Sequence, residues 1–454
     1  MRIIQLSLAA ALAVHVAAGA AFAQEPQEPR PERPYRGIFG GALGASTGAD
    51  SLSVNGSLGG GFDSNVLANA TDAGIGTGTG RPVDTRGGGY GLLAGGINYG
   101  RSKPRVNFGA SANASARYYT TVENSFVSSY NGSAAVSLKP SSRTNIGFGG
   151  GIGYQPFSLY ALFPEFQQAP LGYVFPTDLD FNSLQQGYFN YNADVSWSRQ
   201  FSSRSTLQAG YSYTLSNFSA PYPDFWSQSA NIRFTRNISQ NLGLRLGYGY
   251  SEGYYGAADT RTLGRHHIDT GVDYRKTLSL SRRTSFSFST GGAALTDRDN
   301  VSVTAIDNAM LNHEIERTWN VYGAYNRDVS FVETFSAPFL YDVVSGGVTG
   351  LINRRVEFHS GAGWVLGNVG FGFDSPSGNN GSDFDTIYAS AGVSTALNRF
   401  LSLGLDYSYY HYAFDQTSLL PVNFNEQMNR HSVRATLNAW KPLIQSGRRG
   451  NAPR

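Results

Sequence analysis

His266 and His267 are the only adjacent histidines in the 454-residue chain, and metal binding is the chemistry such a pair could offer. On an extended segment, neighbouring side chains point to opposite faces, so the two imidazoles cannot close on one ion. His359 beside Ser360 suggests a nucleophile and its base, but the same alternation separates them. Asp406 and His411 also differ in parity. His313 and Glu314, close to Glu316, could hold a cation at a loop, although a solvated loop is the simpler expectation. The glycine run at 147–153 has the spacing of a phosphate loop, yet Ile146, Phe148 and Ile152 give it the rhythm of a strand with no helix to follow. The absence of cysteine excludes disulfides, a haem-attachment motif and a lipoprotein anchor. No catalytic, cofactor or metal residues are therefore expected, and the chain is not expected to be an enzyme.

The elements that would carry these residues follow a strict period of two. Leu242, Leu244, Leu246, Tyr248 and Tyr250 alternate with Gly243, Arg245, Gly247 and Gly249. Ile268, Val272 and Tyr274 alternate with His267, Asp269, Gly271, Asp273 and Arg275. Phe108 and Ala110 to Ala116 stand against Asn107, Ser111, Asn113, Ser115 and Arg117, and Leu401 to Tyr409 against Ser402, Gly404, Asp406 and Ser408. A soluble β-sandwich also alternates, but its polar face is usually rich in Lys, Glu and Thr. Here that face is Gly, Ser, Asn, Thr, Arg and Asp, which suits a hydrated lumen. The apolar face carries Tyr118, Trp197, Tyr211, Tyr213, Phe286, Phe288 and Trp319 toward strand ends, as an interfacial girdle would.

Short polar connections at 101–104, 140–143, 201–204, 237–240, 281–283, 353–354 and 398–399 take turns with longer ones at 64–86, 157–185, 219–226, 256–263, 297–312, 373–383 and 416–429. The fold expected is all-β: a transmembrane antiparallel up-and-down β-barrel of about 18 strands, with 16 as the alternative. The first strand is placed at 51–63 and the last at 432–440. The region 328–348 is ambiguous, with a short strand at 329–335 ended by Pro338. A barrel of this size leaves an aqueous channel.

On that fold the charged residues of the polar face become pore-lining candidates: Arg105, Arg117, Asp194, Arg233, Arg245, Asp269, Asp273, Arg275, Arg355, Glu357, Asp406 and Arg434. They form either a structural ion-pair network or a transverse field that orients polar or anionic solutes. The segment 157–185 adds Tyr160, Phe163, Phe166, Tyr173, Phe175 and Phe181, more aromatic surface than an exposed loop usually carries. It is expected either to constrict the barrel or to cap it, with rings available to stack on sugars.

Composition agrees. Only 15% of residues are charged, 55 are glycine and the formal net charge is +3, which gives no sign of nucleic-acid binding. No apolar run past the N-terminus is long enough for a membrane helix. Residues 1–23 read as a signal peptide: Arg2, an apolar stretch to Ala18, and Ala21-Phe22-Ala23 before Gln24. Residues 24–50 are a Pro/Gly-rich periplasmic segment, 51–442 the barrel and 443–454 a basic periplasmic tail. Trp440 is a candidate internal form of the terminal aromatic that marks many such barrels for assembly. The expected location is a Gram-negative outer membrane. The expected partners are its lipid and lipopolysaccharide, the barrel assembly machinery, and a saccharide or small polar solute.

Gly61-Phe62-Asp63-Ser64-Asn65-Val66, at the end of the first strand, resembles the aromatic-Asp-Ser-Asn-Val element near the start of the β-barrel porin 2 family. The rhythm of Arg or Asn turns followed by strands such as 242–250 is similar to that family over roughly 50–442. The resemblance implies an outer-membrane pore or accessory barrel for export of a polymer or small solute, since some members sit with exopolysaccharide export genes. It supplies no catalytic residues. A non-conducting structural or adhesion barrel is the other reading.

Overall fold

The structure, a computed structural model, describes residues 50–66, 87–121, 126–156, 187–218, 224–255, 261–276, 283–297, 300–315, 318–331, 338–370, 382–415 and 426–446. Within them the strands run β1 (Asp50–Asp63), β2 (Gly88–Ser102), β3 (Val106–Tyr119), β4 (Phe126–Ser141), β5 (Thr144–Pro156), β6 (Gly187–Ser202), β7 (Ser205–Phe218), β8 (Phe225–Asn237) and β9 (Leu242–Tyr255). They continue as β10 (Arg261–Lys276), β11 (Arg283–Asp297), β12 (Asn300–Ile315), β13 (Trp319–Ser330), β14 (Phe339–Leu351), β15 (Val356–Val369), β16 (Ser382–Ala396), β17 (Leu401–Phe414) and β18 (Gln427–Ser446). Each strand pairs antiparallel with the next, and β18 pairs back onto β1, so the 18-stranded sheet closes into a barrel. No helix occurs among the described residues.

The local chemistry explains the hairpins. At one end of the barrel the strands are joined by tight polar turns. Ser141 and Ser202 each accept a bond from the backbone two residues on, at Arg143 (3.3 Å) and Arg204 (3.2 Å). In the longer turns, Asn353 accepts from Arg355 and Val356 at 2.8 and 3.0 Å, and Asn398 from Phe400 and Leu401 at the same distances. The side chain thereby satisfies backbone donors that the turn leaves over. Two register shifts fall beside prolines. One lies opposite Leu52/Ser53, next to Pro442, and one at Leu138/Ser141, around Pro140. Proline has no N–H to give the ladder, so a bulge there loses nothing.

Three expectations are corrected. The stretch 297–312 is not a long loop: Asp297 pairs with Asn300 and β12 follows at once. Val329 and Ser330 are the end of β13, paired to Leu340 and Phe339, and no separate short strand begins at 329. Pro338 stands immediately before β14. At the C-terminal side, β18 runs past Trp440 to Ser446, with Lys441 and Pro442 still paired to β1.

The barrel seam carries a clasp at its loop end. Asp63 and Arg430 are both fully buried and joined by a two-pronged ion pair, with Nε 3.1 and 2.9 Å from the two carboxylate oxygens. The same carboxylate accepts from the Asn65 backbone at 2.9 Å, Asn65 reaches the Asn429 carbonyl, and Ser64 and His431 exchange two bonds. Val66 is buried against Tyr90, Leu92 and Tyr119. The Asp-Ser-Asn-Val element thus ties the first strand to the last. Asp63→Asn is expected to cost about 3–5 kcal/mol by leaving the guanidinium buried without its carboxylate. Its check is the temperature at which the folded band is lost on a gel, and an unchanged temperature would reject the clasp.

Candidate functional site

Parity assigns the two faces. Leu58, Leu93, Phe148, Val195, Leu246, Ile268, Trp364 and Leu405 all point outward and are exposed. The opposite parity faces the lumen, and there long side chains lie across glycines of adjacent strands. Arg233 on β8 and Asp269 on β10 flank Gly247 on β9 and meet over it at 3.8 Å. Asp269 fills the place of a side chain at Gly247, and His267 does so at Gly249. Arg245 lies over Gly271 and pairs with Asp273 at 3.4 Å. A second group sits on β15–β18. His359 Nε2 and Asp406 Oδ1 meet at 3.1 Å over Gly392, and Arg434 donates to the other carboxylate oxygen at 3.3 Å.

The parity argument keeps Asp406 from His411, which faces outward and meets Asp385 at 3.7 Å. It missed that a glycine between two strands lets the next-but-one strands join, as His359 and Asp406 do. His313 and Glu314 belong to β12, not to a loop, and His313 shares a 2.8 Å bond with Thr284. Arg117 is buried with its guanidinium 5.3 Å above the Tyr90 ring. Asp194 lies over Gly149, and Glu357, the second residue of β15, stands opposite Ser394. Arg275 lies on β10. Arg105 and Arg355 are in exposed turns at the rim, not on the wall. Tyr160, Phe163, Phe166, Tyr173 and Phe175 lie outside the described residues.

The two charged groups belong to one repeated unit. Without a gap, Phe225 of β8 falls on Phe384 of β16, and Leu242, Leu244, Leu246, Tyr248 and Tyr250 of β9 fall on Leu401, Leu403, Leu405, Tyr407 and Tyr409 of β17. The next strands place His266 opposite Tyr250 and His431 opposite Tyr409. Tyr248 bonds His266 Nδ1 at 2.9 Å, and Tyr407 bonds His431 Nδ1 at 2.8 Å. Both ring pairs beside them have centroids 4.8 Å apart. The outward faces of β9 and β17 therefore match over 242–250 and 401–409, whereas those of β8 and β16 do not, Trp226 falling on Asp385 and Gln228 on Ile387. The inward faces of the two units differ: Arg233, Gly247 and Asp269 stand where the second unit has Gly392, Asp406 and Arg434.

The lumen also departs from the all-polar face expected of it. Tyr322, Phe339, Tyr341, Phe384, Tyr388, Tyr410, Tyr412 and Phe414, on β13–β17, point inward and are buried. Phe339, Phe384 and Phe414 form a row with centroids 5.3 Å apart, the first pair edge-on and the second stacked. At the loop end β13–β17 thus carry an aromatic pack, while β6–β10 have Tyr188, Phe218, Phe225 and Leu263 there and a polar inner face away from that end. At that polar wall the end of β13 turns inward. Asp328 pairs with Arg265 of β10, and Phe331 packs on Gly253 beside Phe225 and Leu263.

No protein-family model matches the chain, and no curated protein does. Solved structures that it is similar to include Acinetobacter baumannii OccAB3, with a TM-score of 0.46, 10% identity, and 87% of this chain and 99% of that chain covered. Pseudomonas aeruginosa OpdL has a TM-score of 0.44 and 10% identity, covering 87% and 99%. The alcaligin outer-membrane receptor FauA of Bordetella pertussis has a TM-score of 0.39 and 10% identity, covering 86% and 76%. At identities and TM-scores this low, the functional argument rests on the residues of this chain.

Proposed function

We propose that the chain is an outer-membrane, pore-forming β-barrel for the diffusion or export of polar solutes. One observation carries this: the barrel is inside out, with exposed Leu, Ile, Val and aromatic side chains around its outer face and paired charges, serines and asparagines on its inner wall. Exposing that outer face to water would cost about 25 cal/mol per Å² of apolar surface, whereas hydrocarbon removes the cost. Closure supports it, because every strand backbone finds its partners within the sheet. Residues 1–23 read as its export signal, and the Asp63-Ser64-Asn65-Val66 resemblance supports a link to exopolysaccharide export. The aromatic pack on β13–β17 favours the second reading, a non-conducting structural or adhesion barrel, because it occupies lumen that a wide pore would leave open.

Purified mature barrel in a planar bilayer is expected to give steady single-channel steps on the nanosiemens scale. Silence from a demonstrably folded barrel would reject the pore and leave the structural reading. Because the lumenal charges are locally paired, removing one cation frees a carboxylate. Arg245→Gln leaves Asp273 uncompensated and should shift the zero-current potential in a salt gradient toward cation preference. An unchanged potential would mean that this wall does not border the ion path.

A further inference from the structure

The two copies of the repeated unit differ most where one of them is empty. Inward-facing Tyr388, Tyr410 and Tyr412 are buried in the second unit. Their counterparts in the first, by the same gapless alignment, are Ser229, Ser251 and Gly253; Phe331 covers Gly253, and the places over the two serines carry no ring. In that first unit there is a cavity of about 370 Å³, bordered by Ser229, Ser251, Phe331 and the inner faces of β6–β10, β12 and β13. That volume falls in the range of small-molecule sites, about 300–1,000 Å³. The fold can pack this position with tyrosine, and in one unit it does not.

The lining states what would fill it. Ser229, Asn231, Ser251, Ser289, Asn308 and Asn326 line it, amides and hydroxyls that offer donors and acceptors together. Arg265, Asp269 and Asn308 are each less than 9% exposed. Arg233 is paired with Asp269 and Arg265 with Asp328, and Asp194 adds a further carboxylate to the lining, so an anionic ligand would meet repulsion and not compensation. What the wall offers is donors and acceptors in mixture, with the Phe331 ring at one edge. Hydroxyl groups, which donate and accept at once, match that mixture, and a ring-sized body matches the missing tyrosines.

We propose that this cavity is a binding station for a neutral, polyhydroxylated ring compound, a sugar unit. It rests on the pore reading only for its role, a stopping point on a solute's path, and binding itself requires no conduction.

The test is titration calorimetry on the full barrel in detergent with maltose, cellobiose and diacetylchitobiose, and with digalacturonate as the charged control. Saturable binding of at least one neutral disaccharide is expected, with the charged one weaker. Ser229→Tyr/Ser251→Tyr installs the side chains of the other unit and should weaken binding by about tenfold or more, with the folded gel mobility retained. Asn308→Leu keeps the space open and removes one acceptor, so it should weaken binding even where the double variant does not fold. Binding of none of the three, equal binding of the charged sugar, or full affinity in the folded double variant or in Asn308→Leu would overturn the proposal. Binding by a barrel that gives no channel steps would uphold the station and remove the pore.

Discussion

Everything in this structure depends on the requirement that a sheet without water on its outer side must have no edge. A strand buried in hydrocarbon cannot leave N–H and C=O groups unbonded, each at a cost of several kcal/mol. Seventeen of the joins between strands are made by hairpins or loops. The join between β1 and β18 has no covalent connection and must form from the two ends of the strand series. Its register runs the whole length of β1, from Asp50 opposite Ser446 to Asp63 opposite Ser432. A slip by one residue would exchange the faces of the strand and turn Leu58 and Phe62 into the lumen. The Asp63–Arg430 pair stands where that error would be felt, since only one register brings both buried charges together. A buried ion pair is weak evidence for stability, but the setting of register is its best-attested use.

Closure leaves an interior too small for large side chains on every strand and too large to be filled by small ones. Glycine resolves this in pairs. Where β9 offers Gly247, Asp269 leans over it; where β16 offers Gly392, His359 and Asp406 meet above it; where β15 offers Gly363 and Gly367, Tyr388 and Phe384 lie flat on the sheet. A Cβ at any of these glycines would collide with the side chain laid across it. The glycines therefore do not serve flexibility. They are the floor on which lumenal groups from neighbouring strands rest, and they decide which strands communicate.

Much of this was legible in the sequence because the outward face obeys one rule. Lipid accepts only apolar side chains, so Leu242 to Tyr250 and Leu401 to Tyr409 announce their strands by alternation alone. The errors fall where another constraint enters. Asp297 to Asn300 reads as loop because it is polar and lies at the end of the barrel where most connections are long, yet Asp297 and Asn300 already pair as strand residues. Tyr410, Tyr412 and Phe414 continue the parity of Ser408 and so face inward, but aromatic side chains on a lumenal parity carry no signal when the lumen is presumed wet. The contact of His359 with Asp406 spans strands that are not neighbours, and no spacing rule within one strand reveals it. The repeat was visible all along, since Phe225 to Tyr255 lies gaplessly on Phe384 to Phe414; alternation concealed it, because every hairpin of a barrel resembles every other.

The repeat separates what the barrel needs from what its interior does. Between the two units the outward leucines, tyrosines and histidine–tyrosine bonds are kept in place. The inward residues are exchanged: arginine for glycine, glycine for aspartate, aspartate for arginine, serine for tyrosine. Eighteen strands put β8 and β17 nine strands apart in either direction, so Arg233 of one unit and Asp406 of the other stand on opposite walls. The outer face is constrained by the solvent it meets and keeps its leucines and tyrosines on β9 and β17, although on β8 and β16 it changes, Trp226 to Asp385 and Gln228 to Ile387. The inner face is constrained only by volume and charge balance, and can be rewritten residue by residue while the ring stays closed. Specificity in such a molecule is therefore a property of the inward parity alone, read across strands and over glycines.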